Sequence, residues 1–138
     1  MTARLLLDTC AAIWITENQN LSEAAATAID DAYRASVPVL ISPITAWERG
    51  LLVSKGRIAS PIPSQQWFER LVTDSGFKIA DMTPAMLIDS SFLPGTLHGD
   101  PADRIIIATA RTLDLTVVTR DRGILEYAEA GHVRALPC

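Results

Sequence analysis

Nowhere in these 138 residues does an apolar run approach the roughly 18 residues of a membrane span, although hydrophobic types make up 49% of the chain. That apolar excess is expected in a core or a subunit interface. A leader segment is not expected either, because Asp8 interrupts the apolar start where a signal needs about 7 to 15 uninterrupted residues. Cysteine is scarce: Cys10 and Cys138 fit no CxxC or zinc spacing, which excludes a disulfide framework and favours a reducing compartment, so a cytoplasmic location is expected. His98 and His132 are far apart and form no HExxH pattern, which argues against zinc. The absence of GxGxxG, GxxxxGK[ST] and GxSxG removes the usual dinucleotide, phosphate-loop and serine-hydrolase readings. Basic charge is short as well. With 12 Lys and Arg against 16 Asp and Glu the net charge is -4, the wrong sign for a uniformly basic nucleic-acid face. A carboxylate cluster filled by a divalent cation would reverse that sign locally.

What is present alternates strand and helix signals. Arg4–Leu7 is an apolar run ending at Asp8, as a strand covered on both faces should be. Asn20 with Glu23 has capping-box spacing and predicts a helix to about Ala35. Val37–Ile41 reads as a second buried strand. Ser42-Pro43 then supplies a cap and an N1 proline for a helix through Trp47, Leu51 and Leu52, ended by Gly56. Residues 60–64 form a connector before a helix over Gln65–Thr73, whose Trp67, Phe68, Leu71 and Val72 share one face. Phe77–Ala80 is a third strand and Pro84–Phe92 a short helix stopped by Pro94-Gly95. Asp100-Pro101 opens a helix over Ala102–Leu113, Thr116–Thr119 is a β-branched strand, and His132–Leu136 an edge strand. The pattern predicts one domain over residues 1–138, a three-layer α/β/α sandwich around a largely parallel sheet. Ligands of such sheets sit at the carboxyl ends of the strands.

Acids gather towards that edge. Asp8 closes the first strand, and it reads either as a cap on the next helix or as a ligand. Glu48 lies one turn inside the helix that Ser42 caps, beyond capping-box reach and able to project into a cleft. Asp100 and Asp103 stand in the first turn of one helix, where cap and dipole would explain both unaided. Asp121 follows the β-branched strand, either as a turn residue or as a further ligand, between Arg120 and Arg122. Hard cations such as Mg²⁺ or Mn²⁺ prefer oxygen ligands of this kind, and phosphodiester hydrolysis needs what they supply: neutralised phosphoryl oxygens and an activated water. Trp14, Trp47 and Trp67 are expected in the core or a dimer interface, Cys10 as a packed thiol raised by the acids, and Cys138 as an exposed thiol.

The residues resemble the PIN-domain nucleases, specifically the VapC-type toxins of bacterial type II toxin-antitoxin pairs. Leu5-Leu6-Leu7-Asp8-Thr9 is similar to the first motif, and Glu48 falls where the family has a helical glutamate. His98-Gly99-Asp100-Pro101-Ala102-Asp103-Arg104 resembles a signature of one branch, and Thr119-Arg120-Asp121 the closing motif. The resemblance implies catalytic Asp8, Glu48, Asp103 and Asp121, with the metal held by these four and Asp100. Whether Asp100 or Asp103 ligates directly stays open. It also implies Mg²⁺-dependent endoribonuclease activity that blocks translation, with Mn²⁺ as a substitute, a homodimer, and inhibition by a cognate antitoxin whose basic side chain reaches the carboxylates. Arg49, Lys55, Arg57, Arg104, Arg120 and Arg122 are candidate RNA contacts. Two other classes compete: a non-catalytic binding scaffold of the same fold, and a phosphoacceptor receiver domain. The receiver needs an acidic pair after strand one and a late lysine, and the sequence has neither.

Overall fold

The computed structural model describes residues 2–138. Five parallel strands form one sheet in the order β3-β2-β1-β4-β5: β1 (Leu5–Leu7), β2 (Leu40–Ile41), β3 (Lys78–Ile79), β4 (Thr116–Thr119) and β5 (Arg134–Pro137). The helices are α1 (Thr9–Thr16), α2 (Glu23–Arg34), α3 (Pro43–Ser54), α4 (Ser64–Thr73), α5 (Pro84–Asp89), α6 (Pro101–Leu113) and α7 (Arg122–Glu129).

The three leucines of β1 explain the layering. Successive strand side chains point to opposite faces. Leu5 and Leu7 accordingly join Ile41, Trp67, Leu71 and Val118 in one core, while Leu6 joins Ile106, Ile107, Val117 and Ile124 in a second. All three leucines are fully buried, so the central strand has no solvated face and carries no polar alternation. The α/β/α sandwich read from the sequence is the fold observed. β1 lies at the centre, with β2 and β3 to one side and β4 and β5 to the other. The carboxyl ends of β1 and β4 therefore open at the point where the strand order reverses, the place where such sheets bind ligands.

Several local expectations change. The cap of α2 is Ser22, not Asn20: Ser22 Oγ accepts the Ala25 N–H at 3.0 Å and donates to the Pro137 carbonyl at 2.8 Å. The tie to β5 selects Ser22, and no local pattern encodes it. A helix, α7, follows Asp121 where only a turn was read. Cys138 is buried rather than exposed, with its N–H on the Thr119 carbonyl at 3.0 Å, and Cys10 is exposed rather than packed. Trp67 lies in the core, but Trp47 is 54% exposed. Strands β2 and β3 each keep two residues of the longer runs expected for them, and α5 ends at Asp89 rather than Phe92.

Candidate metal centre

Of the helices that begin at the carboxyl end of the sheet, three are capped by an aspartate. Asp8 Oδ1 accepts the Ala11 N–H at 2.8 Å at the start of α1, Asp100 Oδ1 the Asp103 N–H at 3.1 Å at α6, and Asp121 Oδ1 the Ile124 N–H at 2.9 Å at α7. Cap and site member are thus compatible roles. One carboxylate oxygen satisfies an orphan amide of the first turn, while the helix dipole favours the negative charge. The cap also fixes where each carboxylate stands.

Thr119, the last residue of β4, links two of these acids. Its hydroxyl donates to Asp8 Oδ2 and accepts the Asp121 N–H at 2.9 Å. A buried contact between the Thr9 and Thr45 hydroxyls, 3.0 Å apart, joins α1 to α3. Glu48 lies three residues beyond Thr45 on the same helix face, and that junction brings it towards Asp8. Ser42 caps α3 through Ile44 at 3.1 Å, so Glu48 has no capping duty. Its Oε1 is buried without a hydrogen-bond partner.

The electrostatics record the crowding. Burial pushes the Asp103 carboxyl up to about 7, and Asp100, Asp121, Glu48 and Asp8 add to the rise. Asp8 and Glu48 are also raised, each mainly by desolvation and then by neighbouring acids. The Cys10 thiol is pushed up to about 12 by desolvation and by Asp8, Glu48, Asp103 and Asp121, which leaves it no thiolate chemistry near neutrality. Among the described residues, no Lys or Arg nitrogen comes within 4.0 Å of these carboxylates. Five acids meet at one place, three of them with pKa values raised by burial and repulsion, and no Lys or Arg among the described residues pairs with them. Two observations fit a divalent ion there: the unpartnered Glu48 oxygen and a donor set of oxygen ligands. Asp103 is the deeper of the two acids at the start of α6, whereas Asp100 is exposed at the rim.

His98 belongs to this place as well. Its Nε2 lies 3.2 Å from Asp121 Oδ1 and 3.5 Å from Asp103 Oδ2, and ligand atoms of these three residues lie within 4.8 Å of one another. Sequence reasoning had set His98 aside because it has no partner at zinc spacing; the one available signal was its place in the run that also holds both acids.

Two of the arginines proposed for RNA are committed to the protein itself. Arg49 is buried, donates to Ser64 Oγ at 2.7 Å and Ser60 Oγ at 2.6 Å, and lies over Trp67 at 4.7 Å. Arg104 Nε donates to the Ser90 carbonyl at 2.8 Å. Arg120 stacks over Trp14 at 3.9 Å and donates to the Asn20 carbonyl, yet remains at the surface. Lys55, Arg57 and Arg122 are exposed.

The chain belongs to the PIN domain family, whose family model matches residues 5–130. It is 35% identical over 127 residues to Ribonuclease VapC22 of Mycobacterium tuberculosis, a match covering 92% of this chain and 93% of that protein. The fold is similar to that in the crystal structure of DNA-bound VapBC from Salmonella typhimurium, with a TM-score of 0.67 at 21% identity over 98% of each chain. It is also similar to that of VapBC2 from Rickettsia felis bound to a promoter DNA fragment, with a TM-score of 0.63 at 13% identity over 96% of this chain and 97% of that one. Family membership decides against the receiver-domain reading.

Proposed function

We propose that residues 1–138 form a single nuclease domain that hydrolyses RNA phosphodiesters with Mg²⁺, or Mn²⁺ in its place, as the toxin of a type II toxin-antitoxin pair. The observation that carries this reading is the meeting of Asp8, Glu48, Asp103 and Asp121 at the switch point of the sheet with no Lys or Arg side chain among the described residues to balance them. When bound there, a divalent cation supplies charge neutralisation on the phosphoryl oxygens and an activated water. Asp8, Glu48, Asp103 and Asp121 hold it, and Asp100 stands at the rim. The Thr119 hydroxyl keeps Asp8 from rotating, and the Ala11 N–H fixes its other oxygen. Glu48 Oε1, buried without a hydrogen-bond partner, is the oxygen that this residue offers to the ion. Exposed Arg120 and Arg122, on either side of Asp121, and Lys55 and Arg57, beyond α3, are candidate cations to meet the RNA backbone.

The likeness to a protein named Ribonuclease VapC22 supports RNA as the substrate, and the likeness to VapBC assemblies supports a cognate antitoxin. An antitoxin arginine entering the carboxylate cluster would supply the missing cation and inhibit the enzyme. Exposed Trp47, Ile88 and Phe92 support a homodimer, and the reading entails a cytoplasmic site of action where RNA cleavage blocks translation. No helix among the described residues is long and apolar enough to cross a membrane.

Purified protein free of antitoxin is expected to cleave RNA with Mg²⁺ or Mn²⁺ and to stop when the metal is chelated, and Asp8→Asn is expected to abolish cleavage while the circular dichroism spectrum is unchanged. Cleavage by Asp8→Asn at the normal rate contradicts the mechanism. A folded wild-type protein that binds no divalent metal and cuts no RNA would favour the scaffold reading.

A further inference from the structure

The run from His98 to Arg104 contributes more to the site than two acids. His98 Nδ1 accepts the Asp100 backbone N–H at 3.3 Å. A neutral imidazole has one donor and one acceptor nitrogen, so this bond places the ring proton on Nε2, the nitrogen that faces Asp121 and Asp103. In that tautomer Nε2 has no lone pair to offer a cation. It is a donor to Asp121, the cap of α7, and lies 3.5 Å from Asp103 in the first turn of α6, so it sits between two carboxylates from different elements.

The seat of the ring is built from both sides. Arg104, four residues beyond Asp100 along α6, donates through Nη1 to the carbonyls of Leu97 and His98 at 3.2 and 3.3 Å, and through Nε to the Ser90 carbonyl, which fixes the chain that carries the ring. On the other side is Gly123, in the first turn of α7. A Cβ built there would lie 2.5 Å from His98 Cδ2 and 3.1 Å from both His98 Nε2 and Asp121 Oδ1, so any side chain at this position must displace the ring and crowd the α7 cap. The imidazole is the movable party, because it is the end of a flexible side chain rather than backbone.

We propose that His98 is a positioning residue of the metal site: its Nε2–H bridges Asp103 and Asp121, offsets their mutual repulsion and turns their remaining oxygens towards the divalent cation, while Arg104 and Gly123 hold the ring in place. The proposal rests on the metal-dependent reading above. Outer-shell hydrogen bonds to ligating groups typically contribute about 10- to 100-fold in metal affinity or activity.

The test is Mn²⁺ titration of metal-free protein followed by electron paramagnetic resonance, on wild type, His98→Ala, His98→Gln and Gly123→Ala. His98→Ala is expected to weaken Mn²⁺ binding by about tenfold or more. His98→Gln restores most of it, because the side-chain amide can donate to the same oxygens. Gly123→Ala is expected to weaken binding at least as much as His98→Ala does, because its Cβ displaces the ring and also crowds Asp121 Oδ1. Mn²⁺ binding by His98→Ala as tight as in wild type, or tighter, overturns the proposal, and so does an unaltered Gly123→Ala. Nitrogen-15 spectra of the histidine rings in metal-free, mildly alkaline solution give a reading that needs no metal. The Nε2–H tautomer is expected, and the Nδ1–H tautomer contradicts the geometry. Absence of Mn²⁺ binding by wild type would instead refute the metal-dependent reading and the positioning role with it, an outcome distinct from failure of the His98 variants alone.

Discussion

Helix α6 has acids at both ends, and the two ends treat them in opposite ways. At its C-terminal end Asp114 sits in the left-handed region at φ 58 and its exposed carboxylate meets Arg134, a surface ion pair open to water. At its N-terminal end Asp100 and Asp103 face Asp8, Glu48 and Asp121, and among the described residues no Lys or Arg side chain pairs with them. The same residue type is solved locally at one end and left in conflict at the other. A conflict of that size persists in a folded protein when something outside the chain relieves it, which is why the N-terminal end reads as a site and the C-terminal end as surface.

The comparison is broken most severely at Asp103. Asp103→Asn is expected to lower RNA cleavage by at least about 100-fold, more than the loss of an outer-shell partner would cost, in a single-turnover assay with saturating Mg²⁺. Thr119→Val comes next. It removes the donor to Asp8 and the acceptor for the Asp121 N–H, both part of the buried junction between β1 and β4. Chemical unfolding should register a loss of about 1–3 kcal/mol, with weaker Mg²⁺ binding in the same preparation. Arg134→Ala sharpens the contrast from the other end. As one half of an exposed pair it should cost less than about 1 kcal/mol and leave Mg²⁺ affinity and cleavage unchanged.

How much of this was legible in the sequence depends on whether the cause was local. The all-apolar β1, the Ser42-Pro43 start of α3 and the Asp100-Pro101 start of α6 carry their reasons within a few residues, and the structure has all three. Helix α7 was hidden because Arg122-Gly123 reads as a turn. Its existence depends on the Asp121 cap and on burying Ile124 and Tyr127 against the sheet. Ser22 and Cys138 were misjudged for one shared reason, the packing of α2 on the end of β5, a contact across more than a hundred residues. Within the site the acids could be named because chemistry demands that residue type. His98 and Thr119 could not, because their part is to place other side chains, and only the fold shows what they touch. Whether Asp100 or Asp103 ligates was open in the sequence; the exposure of Asp100 favours Asp103.

The carboxyl edge of the sheet gathers carboxylates that no Lys or Arg among the described residues balances, and a divalent ion would relieve their repulsion. For an acid whose pKa is raised on folding, the folded state holds the proton more tightly than the unfolded chain does. Its contribution to stability is then fully present below the unfolded value of 3.8 and lost as the pH climbs through the folded value of about 7. Asp8 and Glu48, also raised, act in the same direction. The most direct measurement is therefore thermal unfolding of metal-free wild type and Asp103→Asn between mildly acidic and mildly alkaline pH, with and without Mg²⁺. The metal-free wild type should lose stability as the pH rises, by about 1–3 kcal/mol. Mg²⁺ should restore most of it, and Asp103→Asn should be the more stable protein without metal and respond weakly to it. A wild-type melting temperature that ignores both pH and Mg²⁺ across that range would contradict the account.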